Sequence, residues 1–388
     1  MLNYGWSFGG YPESIDSQGR PVFSKGISDP ITLKAFRNDM AEARECNISV
    51  VRIWMFCDGR GGIVFNVESG HSQEPVGIGP HTLDDIRAVL AVAKTHRLFV
   101  VFSLLNHEWS FKPTAIDERI PGWEGGGHGQ VLLRPDWQQA LLENVFQKVF
   151  EAKGVAGHPN LLAYEFMNEP EWIVQGLGAS TQSMNKIDMI PSPKSKGFNQ
   201  FLSFIAEVRD RVHHAGARFT ISSNRLSWAH YWLDVLQEDK GDYLQIHYWN
   251  TRGSKFASDQ DLLQIRGWEE LQQRWERKLP VVWAEFTAHS DETGYNDGNV
   301  PVKYSLEQYL STALNHKFAG AWPWSWGGRD PKTNRPVQYD KATGKVGPAV
   351  AGGRDKWGVD KFGGPNHDVL KRWAQTNKAR INPGALLS

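Results

Sequence analysis

The 388-residue chain is as informative for what it lacks as for what it holds. Lys plus Arg and Asp plus Glu both total 43, so no single-sign field exists to gather nucleic acid or an anionic membrane surface. An uncharged partner is favoured. Only two cysteines occur, Cys46 and Cys57, and neither lies in a metal-binding spacing, which excludes a disulfide framework and a Cys/His metal centre. The longest apolar run, LFVVFSLL from Leu98, is far too short to span a bilayer. No charged segment followed by an apolar one marks a leader. If Met1 is the native start, a cytoplasmic protein is expected; if a leader has been removed, a secreted one. Repeats, low-complexity tracts and linkers are also missing, so residues 1–388 read as one domain.

The composition is enriched in tryptophan, with 17 residues. Large amphipathic rings suit a ligand that offers flat C–H faces and hydroxyls, although core packing accounts for many of them equally well.

Apolar, strand-like runs alternate with segments of helical periodicity along the whole chain. The strand runs are NYGWSF from Asn3, ISVVRIWMFC from Ile48, LFVVFSLLNHEW from Leu98, LLAYEFMNEP from Leu161, RFTISSN from Arg218, YLQIHYWN from Tyr243, PVVWAEFTAHS from Pro280 and FAGAWPWSWGG from Phe318. Helical segments follow each. One begins at Thr82 as N-cap, with acids in its first turn and bases in its last. Another ends at Gly216, and two more are HYWLDVLQ and DLLQIRGWEELQQRWERK. Eight strand–helix pairs predict an α/β fold, a (β/α)8 barrel with long loop insertions after strands three, four, six and eight. The runner-up is an open doubly wound sheet. It lacks support, because the GGGHG segment at Gly125 follows no strand that feeds a helix and reads instead as a flexible active-site loop.

In such a barrel the reacting groups stand at the C-terminal strand ends. Arg52 and Asp58 fall there on strand two, and Asn106, His107 and Glu108 on strand three. Asn168 and Glu169 end strand four, His247 and Tyr248 strand six, Glu285 and His289 strand seven, and Trp324 and Trp326 strand eight. A solvated mouth explains some of this polarity. It does not explain an Arg inside VVRIW or a Glu inside VVWAEF, since a buried charge is costly unless paired. Two carboxylates and an Arg converging on one mouth meet the needs of glycosidic bond cleavage. One carboxyl stays protonated for the leaving oxygen, and the other stays ionised to attack the anomeric carbon. Arg52 is expected to favour the charged form of Glu285, and the neutral form is expected at Glu169.

HPNLLAYEFMNEP at His158, VRIW at Val51, VVWAEF at Val281 and PWSW at Pro323 occur in the order and on the strands where they resemble glycoside hydrolase family 5 and its clan A relatives, over nearly the whole chain. The resemblance implies a retaining β-glycosidase with Glu169 as acid/base, Glu285 as nucleophile, Asn168 on the sugar 2-hydroxyl, Arg52 beside the nucleophile and Trp324 beneath the sugar. It implies His247 as a site residue. Tyr248 follows it directly, where the family usually has His-x-Tyr, so strict alternation points Tyr248 away unless a bulge intervenes. Either Asn106 or His107 matches the family's third-strand position, with His107 preferred. LLNHEW and the aromatic loop behind it look nearer to the β-mannanase and β-mannosidase branch than to the cellulases. Trp109, Trp123, Trp172, Trp228 and Trp326 are candidate stacking platforms or packing residues.

The expected partner is therefore a β-linked oligo- or polysaccharide, with no cofactor, metal, nucleic acid or membrane; the oligomeric state stays open. Two other readings stand beside it. One is a metal-dependent sugar isomerase or hydrolase using Glu169, His247 and Glu285 as ligands, which would need a further carboxylate and no arginine in the site. The other is a carbohydrate-binding barrel without catalysis.

Overall fold

The computed structural model describes residues 2–4, 12–15, 17, 21–23, 25–59, 61–68, 71–115, 124–177, 188–224, 226–247, 279–287, 305–324, 326–327, 337–340, 345–348, 359–360 and 365–380. Eight strands form one sheet: β1 (Leu2–Tyr4), β2 (Val50–Trp54), β3 (Phe99–Asn106), β4 (Leu161–Asn168), β5 (Arg218–Ser223), β6 (Tyr243–His247), β7 (Val281–Thr287) and β8 (Gly320–Trp324). Their order in the sheet is their order in the chain, and every pairing is parallel. Strand β8 also approaches β1, so the sheet curls back toward its own first edge. This is why the strand runs are apolar almost without interruption: a parallel sheet is covered on both faces.

The two faces carry separate apolar layers. Val50, Val101, Ala163, Tyr243, Val282, Ala284 and Trp322, contributed by strands alone, pack together on one side of the sheet. On the other, strand residues such as Val51, Ile53, Tyr164, Phe166, Phe219 and Trp283 pack with helix residues such as Phe36, Val89, Phe204 and Leu310. Residue parity thus tells inside from outside except where a register shift intervenes, as in β4, where Leu162 and Ala163 both join the inner layer.

The helices follow local chemistry. Pro30–Glu45 starts on the Asp29 side chain, which accepts from the amides of Ile31 and Thr32. Leu306–Asn315 has a reciprocal capping box between Ser305 and Gln308. At Thr82–His96 the cap is His81, and Thr82 is the first helical residue, its hydroxyl donating to the carbonyl of Gly62. The N-cap expected at Thr82 is therefore shifted by one residue. Lys196–His214 stops at Ala215, and Gly216 takes the left-handed conformation just beyond, with φ 78°.

Three further differences from expectation stand out. HYWLDVLQ makes no long helix: Leu233–Val235 within it is a single turn, and the short turn Leu226–Ala229 precedes it. The helical segment behind β3 contains one widened turn at Leu142–Phe146 between Pro135–Leu141 and Gln147–Phe150. An unexpected hairpin, Ile63–Glu68 with His71–Ile78, follows β2. The helix expected over DLLQIRGWEELQQRWERK lies outside the described residues. Among the described residues no helix is long and apolar enough to cross a membrane.

Candidate active site

Arg52 is the fixed centre of the mouth. It has the same parity as Val50, which packs in the inner layer, and it is fully buried. Its Nε and Nη2 donate to the two oxygens of Glu165 at 2.6 and 2.9 Å, Nη2 also donates to Asn168 Oδ1 at 2.7 Å, and Nη1 donates to Glu285 Oε1 at 2.7 Å. Burial works against a cation, but two carboxylates at bonding distance outweigh it and hold Arg52 charged.

Glu285 reaches the site through a defect in β7. Val282 and Ala284 face inward and Trp283 outward, so simple alternation would send Glu285 out. The register with β6 runs Ile246 to Trp283 and then His247 to Glu285, one extra residue on β7. The pairing with β8 shows the same surplus between Trp283 and Phe286. A β-bulge therefore turns Glu285 inward beside Ala284. It lies within 3.4 Å of His247 Nδ1.

Glu169 follows the end of β4 in a left-handed backbone conformation, φ 49° and ψ 59°, ahead of the short turn Pro170–Ile173. Its carboxyl is held at both oxygens. Trp172 Nε1 donates to Oε2 at 2.7 Å, and His247 Nδ1 meets Oε1 at 2.9 Å. Asn168 joins Arg52 on one side and donates to Asn106 Oδ1 at 3.1 Å on the other. Asn106 is buried, while the half-buried His107 ring lies 6.2 Å from the Trp172 ring. The two third-strand alternatives are both present: Asn106 supports Asn168, and His107 flanks the residue that holds Glu169.

One oxygen each of Glu169 and Glu285, together with a ring nitrogen of His247, fall within 4.8 Å of one another. That approach of single oxygens is in keeping with the roughly 5 Å carboxyl separation of direct nucleophilic attack. Burial raises both carboxyls. It pushes Glu285 up to about 7 against the pull of His247 and Arg52, with the nearby Glu169 adding to the rise. At Glu169 burial again leads, opposed by His107, the Trp172 N–H and Arg52. Arg52 favours the charged form of Glu285, as expected, but the net shift is upward because burial outweighs it. The Arg52 charge is shared with Glu165, so it offsets only part of the desolvation. Burial also depresses His247 to about 4, leaving a neutral imidazole near pH 7.

The same three side chains could ligate a metal ion, but Arg52 already donates to one of the ligand carboxylates. Glu165, the additional carboxylate such a centre needs, is engaged at both oxygens by the same guanidinium.

Other expected residues divide. Trp172 touches Glu169, as described. Trp109 is not a stacking platform: it is fully buried in the core, donates Nε1 to the carbonyl of Phe56, and packs on Phe65 and His128. Trp228 is partly buried against the same core. The backbone of Trp324 ends β8 opposite Thr287, and Trp326 begins a two-residue strand paired with Val359. Tyr248, Trp123, His289 and the side chains of Trp324 and Trp326 lie outside the described residues. The GGGHG segment is pinned to the loop behind β3. Gly126 and Gly127 donate to the carbonyls of Asp58 and Phe111, and His128 donates to that of Trp109, each at 2.8 Å.

Glu165 and Ser222 were missed. Glu165 carried a signal, a Glu between Tyr164 and Phe166 in an apolar strand, the same one that marked Glu285. Ser222 carried none.

No family model matches the chain. A mannan endo-1,4-beta-mannosidase of Oryza sativa subsp. japonica is 23% identical over 326 residues, covering 74% of this chain and 69% of that relative. Among solved structures, a glycoside hydrolase family 5 mannosidase from Rhizomucor miehei covers 98% of this chain and 93% of its own at 14% identity, with a TM-score of 0.56. A GH5_18 protein from Bifidobacterium longum subsp. longum, in complex with Manβ1-4GlcNAc, gives 0.58 at 16% identity over 90% of this chain and 74% of that one. An endo-1,4-beta-mannanase from Eisenia fetida gives 0.54 at 19% identity, over 82% and 85%. In fold, the chain is similar to the mannanases and mannosidases of glycoside hydrolase family 5.

Proposed function

We propose that this chain is a retaining β-glycosidase, a single closed (β/α)8 domain with long loops over the mouth, acting on β-mannan or manno-oligosaccharides ahead of β-glucans. The observation that carries the reading is the pair Glu169 and Glu285, facing each other within 4.8 Å with Arg52 bonded to the second. The relatives' printed activities, mannanase and mannosidase, support the choice of sugar.

In the first half-reaction ionised Glu285 attacks the anomeric carbon while Glu169 gives its proton to the departing oxygen, leaving a glycosyl ester on Glu285. In the second, Glu169 takes a proton from water as that water attacks the same carbon and frees Glu285. Glu169 loses one proton to the leaving group and regains another from water, so each cycle starts with a single acidic proton shared by the two carboxyls. Its residence on Glu169 follows from the Arg52 bond to Glu285, which favours the negative charge there. Asn168, fixed between Arg52 and Asn106, is placed to bind the sugar 2-hydroxyl as charge develops on the ring.

Substitution separates the roles. Glu285→Ala should abolish turnover with folding and sugar binding intact. Glu169→Ala should lose roughly 10²–10⁴-fold on substrates with poor leaving groups and far less on activated aryl glycosides, for which protonation is dispensable. NMR of the first-formed product should show the β-anomer. Inversion, or normal turnover by Glu285→Ala, would overturn the reading. A divalent metal bound in stoichiometric amount and needed for turnover would favour the isomerase or metallohydrolase alternative at the same three residues.

A further inference from the structure

Glu169 holds a backbone conformation that side-chain-bearing residues rarely adopt, and does so directly before a proline. Something outside the local sequence must hold it. The parallel ladder between β4 and β5 runs Ala163 to Arg218, Tyr164 to Phe219 and Glu165 to Thr220, and then stops. Continued in the same register, it would set Met167 opposite Ser222. There the backbone pairing gives way to a side chain. Ser222 Oγ accepts the amide N–H of Glu169 at 2.9 Å and donates its own hydrogen to the carbonyl of Met167 at 3.2 Å. One fully buried hydroxyl thus bridges the two peptide groups flanking Asn168, at the point where the chain leaves the sheet and turns left-handed.

We infer that Ser222 is a positioning residue for the acid/base: its hydroxyl clasps the left-handed turn at Glu169 and thereby aims that carboxyl between Trp172 and His247. The inference rests on the acid/base reading of Glu169. Ser222 bonds the backbone and not the carboxyl, so its influence runs through the amide of Glu169 and the carbonyl of Met167. Without the hydroxyl, that amide and the Met167 carbonyl lose their buried partner, and the turn can relax toward ordinary strand geometry. The carboxyl then moves away from the leaving oxygen, while Glu285, fixed from β7 and by Arg52, stays where it is.

The test is a series of aryl β-mannosides with graded leaving groups, extended by an unactivated manno-oligosaccharide, with kcat/KM measured for Ser222→Ala. A loss of roughly tenfold to a hundredfold is expected on the oligosaccharide and the poorest leaving groups. On the dinitrophenyl glycoside the loss should stay within about twofold, because that bond breaks without acid help. The dependence of rate on leaving-group pKa steepens accordingly. Ser222→Thr, which keeps the hydroxyl, should restore most of the loss, and Ser222→Cys, whose thiol is a weak donor and acceptor, stands in with the same expected split if the alanine variant folds poorly. Trapping by a dinitrophenyl fluoromannoside, which needs Glu285 but not Glu169, reports that the rest of the site is assembled. Equal losses across the whole series, or none, would overturn the inference. Glu169→Ala run in parallel keeps the two claims apart. If it splits the series and Ser222→Ala does not, the positioning role falls alone; if it fails to split the series, the acid/base reading falls.

Discussion

Among the described residues Arg52 hydrogen-bonds Glu165, Asn168 and Glu285, and the partner with most of this bonding, Glu165, is not one of the proposed catalytic pair. Glu165 takes both Nε and Nη2 in the bidentate geometry that locks a guanidinium plane, which leaves Nη1 directed at Glu285. Glu165 also tempers the field at Glu285, the proposed nucleophile. With its charge removed, Arg52 would act on Glu285 uncompensated and lower its pKa. Among the described residues, the groups facing Arg52 and Glu165 include Trp54 on β2, Asn168 and Glu169 at the end of β4, His247 and Tyr243 on β6 and Glu285 on β7. Glu165→Gln is therefore expected to shift the acidic limb of the kcat/KM profile to lower pH by about one unit, and to lower kcat/KM through a less basic nucleophile. A limb that stays in place with reduced thermal stability would assign Glu165 to folding alone. At this scale the sequence was legible wherever a charge interrupted an apolar strand, as at Arg52 and Glu285. It was illegible where function rests on a hydroxyl replacing a ladder bond, as at Ser222, because a serine at a strand end has many ordinary explanations. Trp109 failed in the opposite direction: its place just past β3 suggested the mouth, yet a backbone acceptor at Phe56 satisfies its indole inside the core.

Elements position what residues perform. The strand runs could be read because parallel strands are apolar on both faces, and their order alone predicted which ends would meet. The bulge in β7 could not be read, since nothing in VVWAEF distinguishes an extra inward residue from regular alternation. The loop behind β3 was read as flexible from its glycines, but those glycines serve close approach. At Gly126, φ is +80°, and an added Cβ would lie 2.9, 3.1 and 3.2 Å from the carbonyl oxygens of Phe111, Glu108 and Lys112. Gly126→Ala should cost about 1–3 kcal/mol in chemical denaturation, since backbone rather than a movable side chain is in the way. It should also weaken activity by disturbing the turn that carries His107. A variant as stable and active as the parent would show that this loop does not brace the site.

The molecule as a whole carries buried carboxylates beyond those the chemistry uses, and its stability should register them. Glu171 is fully buried, accepts from Trp232 Nε1 at 2.7 Å and from the Ser223 hydroxyl, and is pushed up by burial to about 7. A folded-state value above the ordinary 4.5 gives a contribution that is complete below about pH 4.5 and is lost as pH rises through 7. Glu171→Gln removes that loss. Its thermal unfolding should gain relative to the parent at about pH 8 compared with about pH 5, by up to about 3 kcal/mol. His247 has the opposite sign: depressed to about 4, it lends stability above its ordinary 6.5 that is lost as pH falls toward 4. A gain from Glu171→Gln equal at both pH values would show that Glu171 does not titrate in this range.

The surplus residue in β7 also sets a rule for anyone transplanting this site. A designer who copies Glu285 into a regular barrel stave, matching side chains but not residue count, would deliver the carboxylate to the helix side and build an inert protein. The portable unit is the stave together with its miscount against both neighbours.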